Sequence, residues 1–269
     1  MRTYVGRQLE RTIGSSRTAS LRRLERRVRT RLGPPAPPPP KPRQSLTELA
    51  QKHKTDKWGT HRYTPHYEAS LKHLRDERFT LLEIGIGGFK KEGSGGKSLK
   101  MWRDFFPNAT IVGLDIIDKS YVAGGRVKVY TGDQTDPELL QRIVNDHPDL
   151  KVVIDDGSHV SEHILASFKI LFPLLPMDGI YAIEDTQTSY WPDWGGQIDP
   201  EATGTSMHLV KQLIDGLNYE EFLVEGYQPT YTDTHITAIH AWHNMVVIEK
   251  GANNEGSNRD RVHDRPYRM

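Results

Sequence analysis

The sequence predicts an α/β fold, a doubly wound and mostly parallel seven-stranded sheet that ends in an antiparallel strand pair. Short uninterrupted apolar runs, such as residues 152–154 and 180–183, are typical of parallel strands covered on both faces. Helical patterns separate these runs, as the crossovers of a parallel sheet require. The last two strand patterns are instead joined by a short turn at residues 242–244, which predicts antiparallel pairing.

Each element follows from its local pattern. Ser45 with Glu48 three residues later is a capping box, and it places the first helix of the body at residues 45–53. The remaining helices are predicted at residues 66–75, 98–105, 137–145, 161–172 and 206–217. The strands are predicted at residues 80–86, 110–115, 127–131, 151–155, 179–184, 235–241 and 245–250.

The charge is distributed unevenly along the 269 residues. The whole chain carries 36 Lys and Arg against 35 Asp and Glu, but residues 1–43 hold twelve basic and two acidic residues, a net of +10. The remainder therefore has a net charge of −9. We interpret residues 1–43 as a basic, proline-rich arm, residues 44–251 as the α/β domain, and residues 252–269 as a mobile tail.

The composition excludes several classes of protein. The chain has no cysteine, which excludes disulfide scaffolds, thiolate zinc sites and cysteine nucleophiles and fits a cytoplasmic protein. No run approaches the roughly 18 apolar residues of a membrane span. For the arm we favour a solvated tail over a basic amphipathic helix, although its charge could contact an anionic surface; we expect no nucleic-acid partner.

The first strand leads into a glycine-rich turn, L-E-I-G-I-G-G, at residues 82–88. Gly85 and Gly87 let a ligand approach the backbone where doubly wound folds bind nucleotides. The dinucleotide fingerprint needs a third glycine where Lys90 stands, which disfavours a dehydrogenase.

Acidic residues after the next strands sharpen this interpretation. Asp115 ends the second strand, where a carboxylate can accept hydrogen bonds from ribose hydroxyls, and Asp133 and Gln134 follow the third strand, where they can meet an adenine amino group. Together with Glu83 before the glycines, they favour a class I, Rossmann-like methyltransferase fold that binds S-adenosylmethionine.

Two neighbouring strands then end in paired acids. D-D-G-S-H begins at Asp155, and E-D consists of Glu184 and Asp185. Because parallel strands end at one edge of the sheet, four carboxylates would meet there, and a divalent cation would neutralise their repulsion. Oxygen ligands without cysteine favour Mg²⁺, then Mn²⁺ or Ca²⁺. His159 lies three residues after Asp156 and could accept a proton from a hydroxyl group near the cation.

An aromatic loop follows the E-D pair. Tyr190, Trp191 and Trp194 could form a stacking surface for a sugar ring, or they could pack to hold a long loop in place. The residues alone leave these two alternatives open.

Together these segments resemble the metal-dependent sugar O-methyltransferases of actinobacteria, which act on macrolide deoxysugars and on mannosides. The resemblance covers residues 46–251 and is carried by T-D-K-W-G-T-H-R-Y-T-P-H-Y-E (55–68), L-E-I-G-I-G-G (82–88), G-G-K-S-L-K-M-W (95–102), G-L-D-I-I-D-K-S (113–120), I-D-D-G-S-H (154–159), I-E-D-T-Q-T-S-Y-W (183–191) and H-N-M-V-V-I-E-K-G (243–251).

The resemblance implies a role for each site residue. It implies that Mg²⁺ is held by Asp156, Glu184 and Asp185, with His159 as the general base. It implies that the cofactor lies against Glu83, Gly85, Asp115, Gln134 and Asp155, with Tyr63 and Ser98 closing over its methionine end. The T-D-K-W-G segment is expected to fold over the site, and a homo-oligomer, dimer or tetramer, is implied.

Alternatives from other classes stay open at this stage. A catechol-type methyltransferase would use the same fold, cofactor and metal on adjacent hydroxyls. A non-catalytic module would bind the cofactor and use the basic arm to reach a partner. We rank iron-dependent hydroxylase chemistry last, because no grouping of two histidines and a carboxylate stands out.

Overall fold

The computed structural model describes residues 43–88 and 93–259. The predicted arm lies outside these residues except for Arg43, as does the end of the predicted tail beyond residue 259. The described part of the tail is hydrogen-bonded to the body, because the Asn253 side-chain amide donates to the carbonyls of Leu217 and Asp233. None of the described helices is long and apolar enough to cross a bilayer.

The described elements alternate along the chain as expected. The helices are α1 (Leu46–His53), α2 (Thr64–Leu71), α3 (Lys97–Phe105), α4 (Pro137–Asp146), α5 (Ser161–Leu174), α6 (Ser206–Gly216) and α7 (Tyr231–His235). The strands are β1 (Thr80–Ile84), β2 (Thr110–Asp115), β3 (Val127–Thr131), β4 (Leu150–Asp155), β5 (Ile180–Glu184), β6 (Ile236–Trp242) and β7 (Met245–Lys250).

The seven strands form one sheet in the order β3-β2-β1-β4-β5-β7-β6. The first five are parallel, and β7 runs antiparallel between β5 and β6. This confirms the predicted fold class, including the C-terminal antiparallel pair. Because β1 and β4 lie at the centre and the chain order reverses between them, their carboxyl ends flank the crevice where ligands bind in such sheets.

Local chemistry sets several element ends. Ser45 caps α1 through the predicted capping box with Glu48, and Asp136 caps α4 by accepting from two backbone amides. The prediction missed α7 and ended α5 two residues early, because Pro173 continues the last turn of that helix. Pro173 has no N–H to donate to the preceding turn, and α5 ends one residue later, at Leu174.

The core has two layers, one on each face of the sheet. Helices α1, α2 and α3 cover the first face, where Trp102 and Tyr67 are fully buried. Helices α4, α5 and α6 cover the second face, with Phe168 and Phe172. Residues alternate between the layers along each central strand, so that neighbouring positions at a strand's end face different surroundings.

Candidate active site

Gly85 brings the ends of the two central strands together. Its amide donates to the Leu114 carbonyl of β2 (2.7 Å). On the other side of β1, the amide of Asp156, which follows β4, donates to the Ile84 carbonyl (2.9 Å). Gly85 has φ +78°, and a Cβ placed on it would lie 2.1 Å from the Asp156 carbonyl oxygen. Glycine is therefore required for the approach of β1 and β4, besides any contact with a ligand.

A cavity of about 150 Å³ opens beside this junction. It brings together four of the residues predicted to bind the cofactor, namely Gly85, Asp115, Asp133 and Gln134. The rest of its wall is formed by Ile84, Leu114, Ile116, Gly132, Gly157, Ser158 and His163. The mixture of apolar side chains, glycines and a few polar groups suits a nucleoside.

Asp115 also holds the glycine turn in shape. Its Oδ2 accepts from the Ile86 amide (3.0 Å) and from Lys119 Nζ (2.7 Å), while Oδ1 accepts from the Ile117 amide (3.0 Å). The Lys119 ammonium donates in turn to the Gly87 carbonyl. The residue predicted to contact ribose is thus also part of the framework of the turn.

Asp155, which the family resemblance predicts to contact the cofactor, is not among the residues that line this cavity. Its carboxylate is 1% exposed and accepts hydrogen bonds from Ser167 Oγ (2.5 Å) and Gln134 Nε2 (3.2 Å). Burial raises the pKa of Asp155, an effect that the Ser167 hydrogen bond opposes. Gln134 Oε1 accepts from the Ser158 amide (2.8 Å). Asp155 therefore orients Gln134, which lines the cavity, from behind.

A second cavity, of about 180 Å³, lies along the glycine turn and is lined by Gly87, Ser98 and Asp156. The first two were predicted to contact the cofactor. The cavity wall also includes Lys54, Thr55 and Asp56, so the segment predicted to fold over the site does reach it.

A buried cluster of opposite charges lies next to this cavity. Lys57 is 1% exposed, and its Nζ lies 2.6 Å from Glu184 Oε1, 2.8 Å from Asp156 Oδ2 and 3.1 Å from Glu83 Oε1. Burial alone would lower the pKa of Lys57, but the three carboxylates outweigh it and raise the pKa well above its usual value. The lysine is therefore an ammonium in the folded protein.

Two predicted roles meet a different environment in this cluster. Glu83, predicted to contact the cofactor, is fully buried and lines neither of the two cavities described above. Glu184, predicted to bind the metal, accepts hydrogen bonds at Oε1 from both Lys57 and Tyr67. Burial raises the pKa of Glu184 well above its usual range, and the charge of Asp156 adds to that shift. Glu184 as a metal ligand stays a prediction.

The group that could hold a cation consists of Asp156, His159 and Asp185. One ligand atom from each lies within 4.8 Å of the other two. His159 Nε2 is 3.6 Å from Asp185 Oδ2. Both residues have positive φ, +58° and +52°, a conformation that costs a side chain about 1–2 kcal/mol and often marks functional positions. Two oxygen ligands and an imidazole are compatible with Mg²⁺ or Mn²⁺.

Tyr63, predicted to close over the cofactor, contacts Asp185 and is not among the residues that line the two cavities. Its hydroxyl donates to Asp185 Oδ1 (2.6 Å) and to the Asn244 carbonyl (3.2 Å). His61 stacks on the Tyr63 ring, and its Nδ1 lies 3.6 Å from the same carboxylate oxygen. Burial would raise the pKa of Asp185, but the Tyr63 hydrogen bond and the charges of His159 and His61 lower it.

The aromatic loop after β5 is exposed. Tyr190, Trp191 and Trp194 are all more than one-third exposed, so they do not serve mainly to fill the core. The ring of Trp194 lies 6.0 Å from that of His159, with the planes tilted by 48°. Trp194 is thus the loop residue that faces the candidate base.

Sequence reasoning assigned no individual role to Lys57, Tyr67 or His61. All three lie in the quoted segment at residues 55–68, but a single lysine, tyrosine or histidine carries no local signal of its partners. The Lys57 ammonium and the Glu184 carboxylate are 127 residues apart in sequence. The one signal in the sequence was that the predicted carboxyl edge of the sheet carries several acidic residues, whose charges call for a cation nearby.

Comparisons with known proteins were made on the whole chain. No family model matches it. It is 45% identical over 214 residues to the mycinamicin VI 2''-O-methyltransferase of Micromonospora griseorubida, a match covering 78% of this chain and 54% of that protein. It is 44% identical over 214 residues to the demethylmacrocin O-methyltransferase of Streptomyces fradiae, with the same coverages.

Solved structures give a consistent result. The MycE methyltransferase from the mycinamycin biosynthetic pathway, in complex with Mg and SAH, is 44% identical with a TM-score of 0.77, over 80% of this chain and 55% of that chain. The same methyltransferase with Mg, SAH and mycinamycin VI has a TM-score of 0.76. The chain spans about half the length of the relatives it matches. These findings confirm the resemblance to antibiotic sugar O-methyltransferases, whereas its mannoside part stays a prediction.

Proposed function

We propose that this chain, a homologue of the sugar O-methyltransferases of actinobacterial antibiotic biosynthesis, transfers a methyl group from S-adenosylmethionine to a sugar hydroxyl with the help of Mg²⁺. The observation that carries the proposal is the position of Asp156. This residue lines the second cavity, together with Gly87 and Ser98, which are predicted to contact the cofactor, and it also belongs to the Asp156–His159–Asp185 group. A methyl donor and a divalent cation would therefore lie on either side of one carboxylate.

The residues present fit such a cation. Asp156 and Asp185 would hold it, with Glu184 as the predicted third carboxylate, and Mn²⁺ would suit the same donors. A bound Mg²⁺ would lower the pKa of a nearby sugar hydroxyl and fix its direction.

His159 is the proposed catalytic base. It takes the hydroxyl proton as a bond forms between the hydroxyl oxygen and the methyl carbon. The bond from methyl carbon to sulfur breaks at the same time, so the positive sulfonium leaves as neutral S-adenosylhomocysteine. Asp185, 3.6 Å from His159 Nε2, stabilises the imidazolium that results. Thr188 Oγ1 donates to the His159 carbonyl (2.7 Å) and holds its backbone in place.

The proposed acceptor is a sugar carried by a larger molecule. The names of the matched relatives concern sugars of macrolides and tetracenomycins, which supports a deoxysugar glycoside; a mannoside is the second candidate. Tyr190 and Trp191, as predicted, together with Trp194, supply exposed aromatic faces suited to stacking on a sugar ring. A catechol-type acceptor could use the same metal site, and these exposed aromatic residues favour the sugar.

The decisive experiment measures transfer of labelled methyl to a panel of macrolide glycosides, mannosides and catechols, with and without EDTA. We expect labelling of a glycoside that EDTA abolishes and Mg²⁺ restores. Asp156→Asn should lose this activity, and His208→Gln on α6 is a matched control that should keep it. Cofactor binding without transfer to any acceptor would instead support the non-catalytic module, and labelling of catechols alone would redirect the acceptor class.

We also propose a homo-oligomer, dimer or tetramer, and an arm that contacts anionic surfaces. The first rests on the family resemblance and the second on the net charge of +10 in residues 1–43. Light scattering on the purified protein tests the first. Vesicle binding by the full chain and by a variant without residues 1–43 tests the second.

A further inference from the structure

We propose that Lys57 is a positioning residue that competes with the divalent cation for Asp156 and so sets the affinity of the metal site. This inference rests on the proposed function and deepens it. Its basis is a lysine that is fully buried between carboxylates from three adjacent strands, at the ends of β1, β4 and β5.

The competition follows from shared ligand groups. Lys57 Nζ donates to Asp156 Oδ2 at 2.8 Å, and Asp156 is a member of the group that could hold a cation. Lys57 also donates to Glu184, the predicted third ligand, at 2.6 Å. A metal ion that binds these carboxylates would weaken their hydrogen bonds and ion pairs with the Lys57 ammonium.

The charges of the site favour this exchange. The site holds four carboxyl groups, those of Glu83, Asp156, Glu184 and Asp185, and the ammonium of Lys57, which is shielded from water, lies against three of them. A dication and a buried ammonium repel across a few ångströms, because the protein interior screens charge weakly. Thermodynamic linkage is reciprocal. The factor by which bound Mg²⁺ weakens the binding of the Lys57 ammonium to the carboxylates is therefore the factor by which Lys57 lowers the affinity for Mg²⁺.

The effect would extend to the segment that carries the lysine, residues 55–63, which we call the strap. Besides Lys57, the strap contacts the metal group through Tyr63, which donates to Asp185, and its Thr55 and Asp56 line the second cavity. Loosening Lys57 would therefore loosen the wall of the second cavity, where Ser98 is predicted to contact the methionine end of the cofactor.

Calorimetric titration of the full chain with MgCl₂, without cofactor, tests the inference. Lys57→Met keeps the size of the side chain and removes its charge, and we expect it to bind Mg²⁺ at least about tenfold more tightly than the unaltered chain. Lys52→Met is the matched control, because Lys52 pairs with Asp104 on the surface, and its Mg²⁺ affinity should be unchanged. A folded Lys57→Met variant with equal or weaker affinity overturns the inference, since purely structural damage weakens binding.

A second measurement needs no variant, in case Lys57→Met fails to fold. Hydrogen exchange of the unaltered chain should become faster in residues 55–59 at saturating Mg²⁺, while the β1 amides stay protected. Mg²⁺ binding without faster exchange there contradicts the competition but leaves the proposed function standing. The absence of any Mg²⁺ binding overturns both.

Discussion

His159 occupies a position from which an imidazole can serve either as a base or as a metal ligand. Its Nε2 lies 3.6 Å from Asp185 Oδ2, and both residues belong with Asp156 to the group that could hold a cation. The two roles differ in one measurable respect. A base contributes to turnover without contributing to cation affinity, whereas a ligand contributes to both.

We expect His159→Gln to lower kcat by about 10²- to 10⁴-fold, because a glutamine amide cannot accept the hydroxyl proton as the proposed imidazole base does. The Mg²⁺ affinity should stay within about threefold, since both aspartates remain. Single-turnover kinetics and calorimetry measure the two quantities, with His208→Gln as the control. A loss of Mg²⁺ affinity that parallels the loss of kcat would assign His159 to the metal instead.

Gly85 and Gly87 make a matched pair that separates backbone strain from steric conflict. Both have positive φ, +78° and +68°, but an added Cβ has nothing within 4 Å at Gly87 and meets the Asp156 carbonyl at Gly85. Gly87→Ala should reduce the free energy of unfolding by about 1–2 kcal/mol through strain alone. Gly85→Ala should reduce it by more. Urea unfolding measures both, and equal losses would contradict the close approach of β1 and β4.

At the scale of elements, one carboxylate on α3 makes polar contacts with two side chains of α1. Asp104 on α3 accepts from Lys52 Nζ (2.7 Å) and pairs with His53 Nε2 (2.8 Å), both on α1. Partial burial would raise the pKa of Asp104, but these partners and Arg103 outweigh it and lower the pKa well below its usual value.

We expect Asp104→Asn to reduce the free energy of unfolding at neutral pH by about 0.5–1 kcal/mol, as for other solvent-screened pairs. A lowered folded-state pKa stabilises the fold above the ordinary value of 3.8, and this stabilisation is lost as the pH falls further. The difference between the unaltered chain and the variant should therefore shrink below pH of about 4. Urea unfolding across this range checks it, and a constant difference would refute the ionic origin.

The two short helical turns after β5, Thr186–Tyr190 and Pro192–Trp194, determine which aromatic ring faces the site. Because the Trp194 ring lies 6.0 Å from that of His159, we expect Trp194→Ala to raise KM for a glycoside acceptor by about 3- to 10-fold, the equivalent of about 0.5–1.5 kcal/mol. KM for S-adenosylmethionine should not change. Trp191→Ala is the comparison, and a larger effect there would return the main role to the residue predicted from sequence.

At the scale of the whole molecule, the sheet order concentrates the chemistry. Because β1, β4 and β5 are adjacent, Glu83, Asp156 and Glu184 meet at one edge although they lie in three separate segments. Both cavities open at the carboxyl ends of β1 and β4. Ligands bound there would link several segments and should stabilise the entire domain.

We expect S-adenosylhomocysteine at about one hundred times its Kd to add about 2.7 kcal/mol to the free energy of unfolding. For a domain of this size that corresponds to a rise in Tm of about 5–10 °C. Thermal scans with the product, with Mg²⁺ and with both provide the measurement, and adenosine monophosphate serves as the control ligand. No rise with the product at any concentration would count against the cofactor proposal.

The sequence by itself determined the strands, their order of appearance and the acids at their ends. Apolar runs, capping residues and glycines act over a few residues, so they can be recognised locally, as the capping box of Ser45 and Glu48 illustrates. The alternation of strand side chains also separates Asp155 from Asp156, since neighbouring positions face opposite layers. Asp155 accordingly contacts Gln134 and Ser167, whereas Asp156 contacts Lys57.

The tertiary structure alone decided which side chains contact the acidic residues at the strand ends. Lys57 reaches Glu184 across 127 residues, and Tyr63 reaches Asp185 across 122. Such contacts depend on how the strap crosses the end of the sheet, and no local pattern encodes that path. The physical reason is that the packing of the whole domain determines which residues contact a buried charge. The end of a strand or helix, in contrast, is determined by residues close to it in sequence.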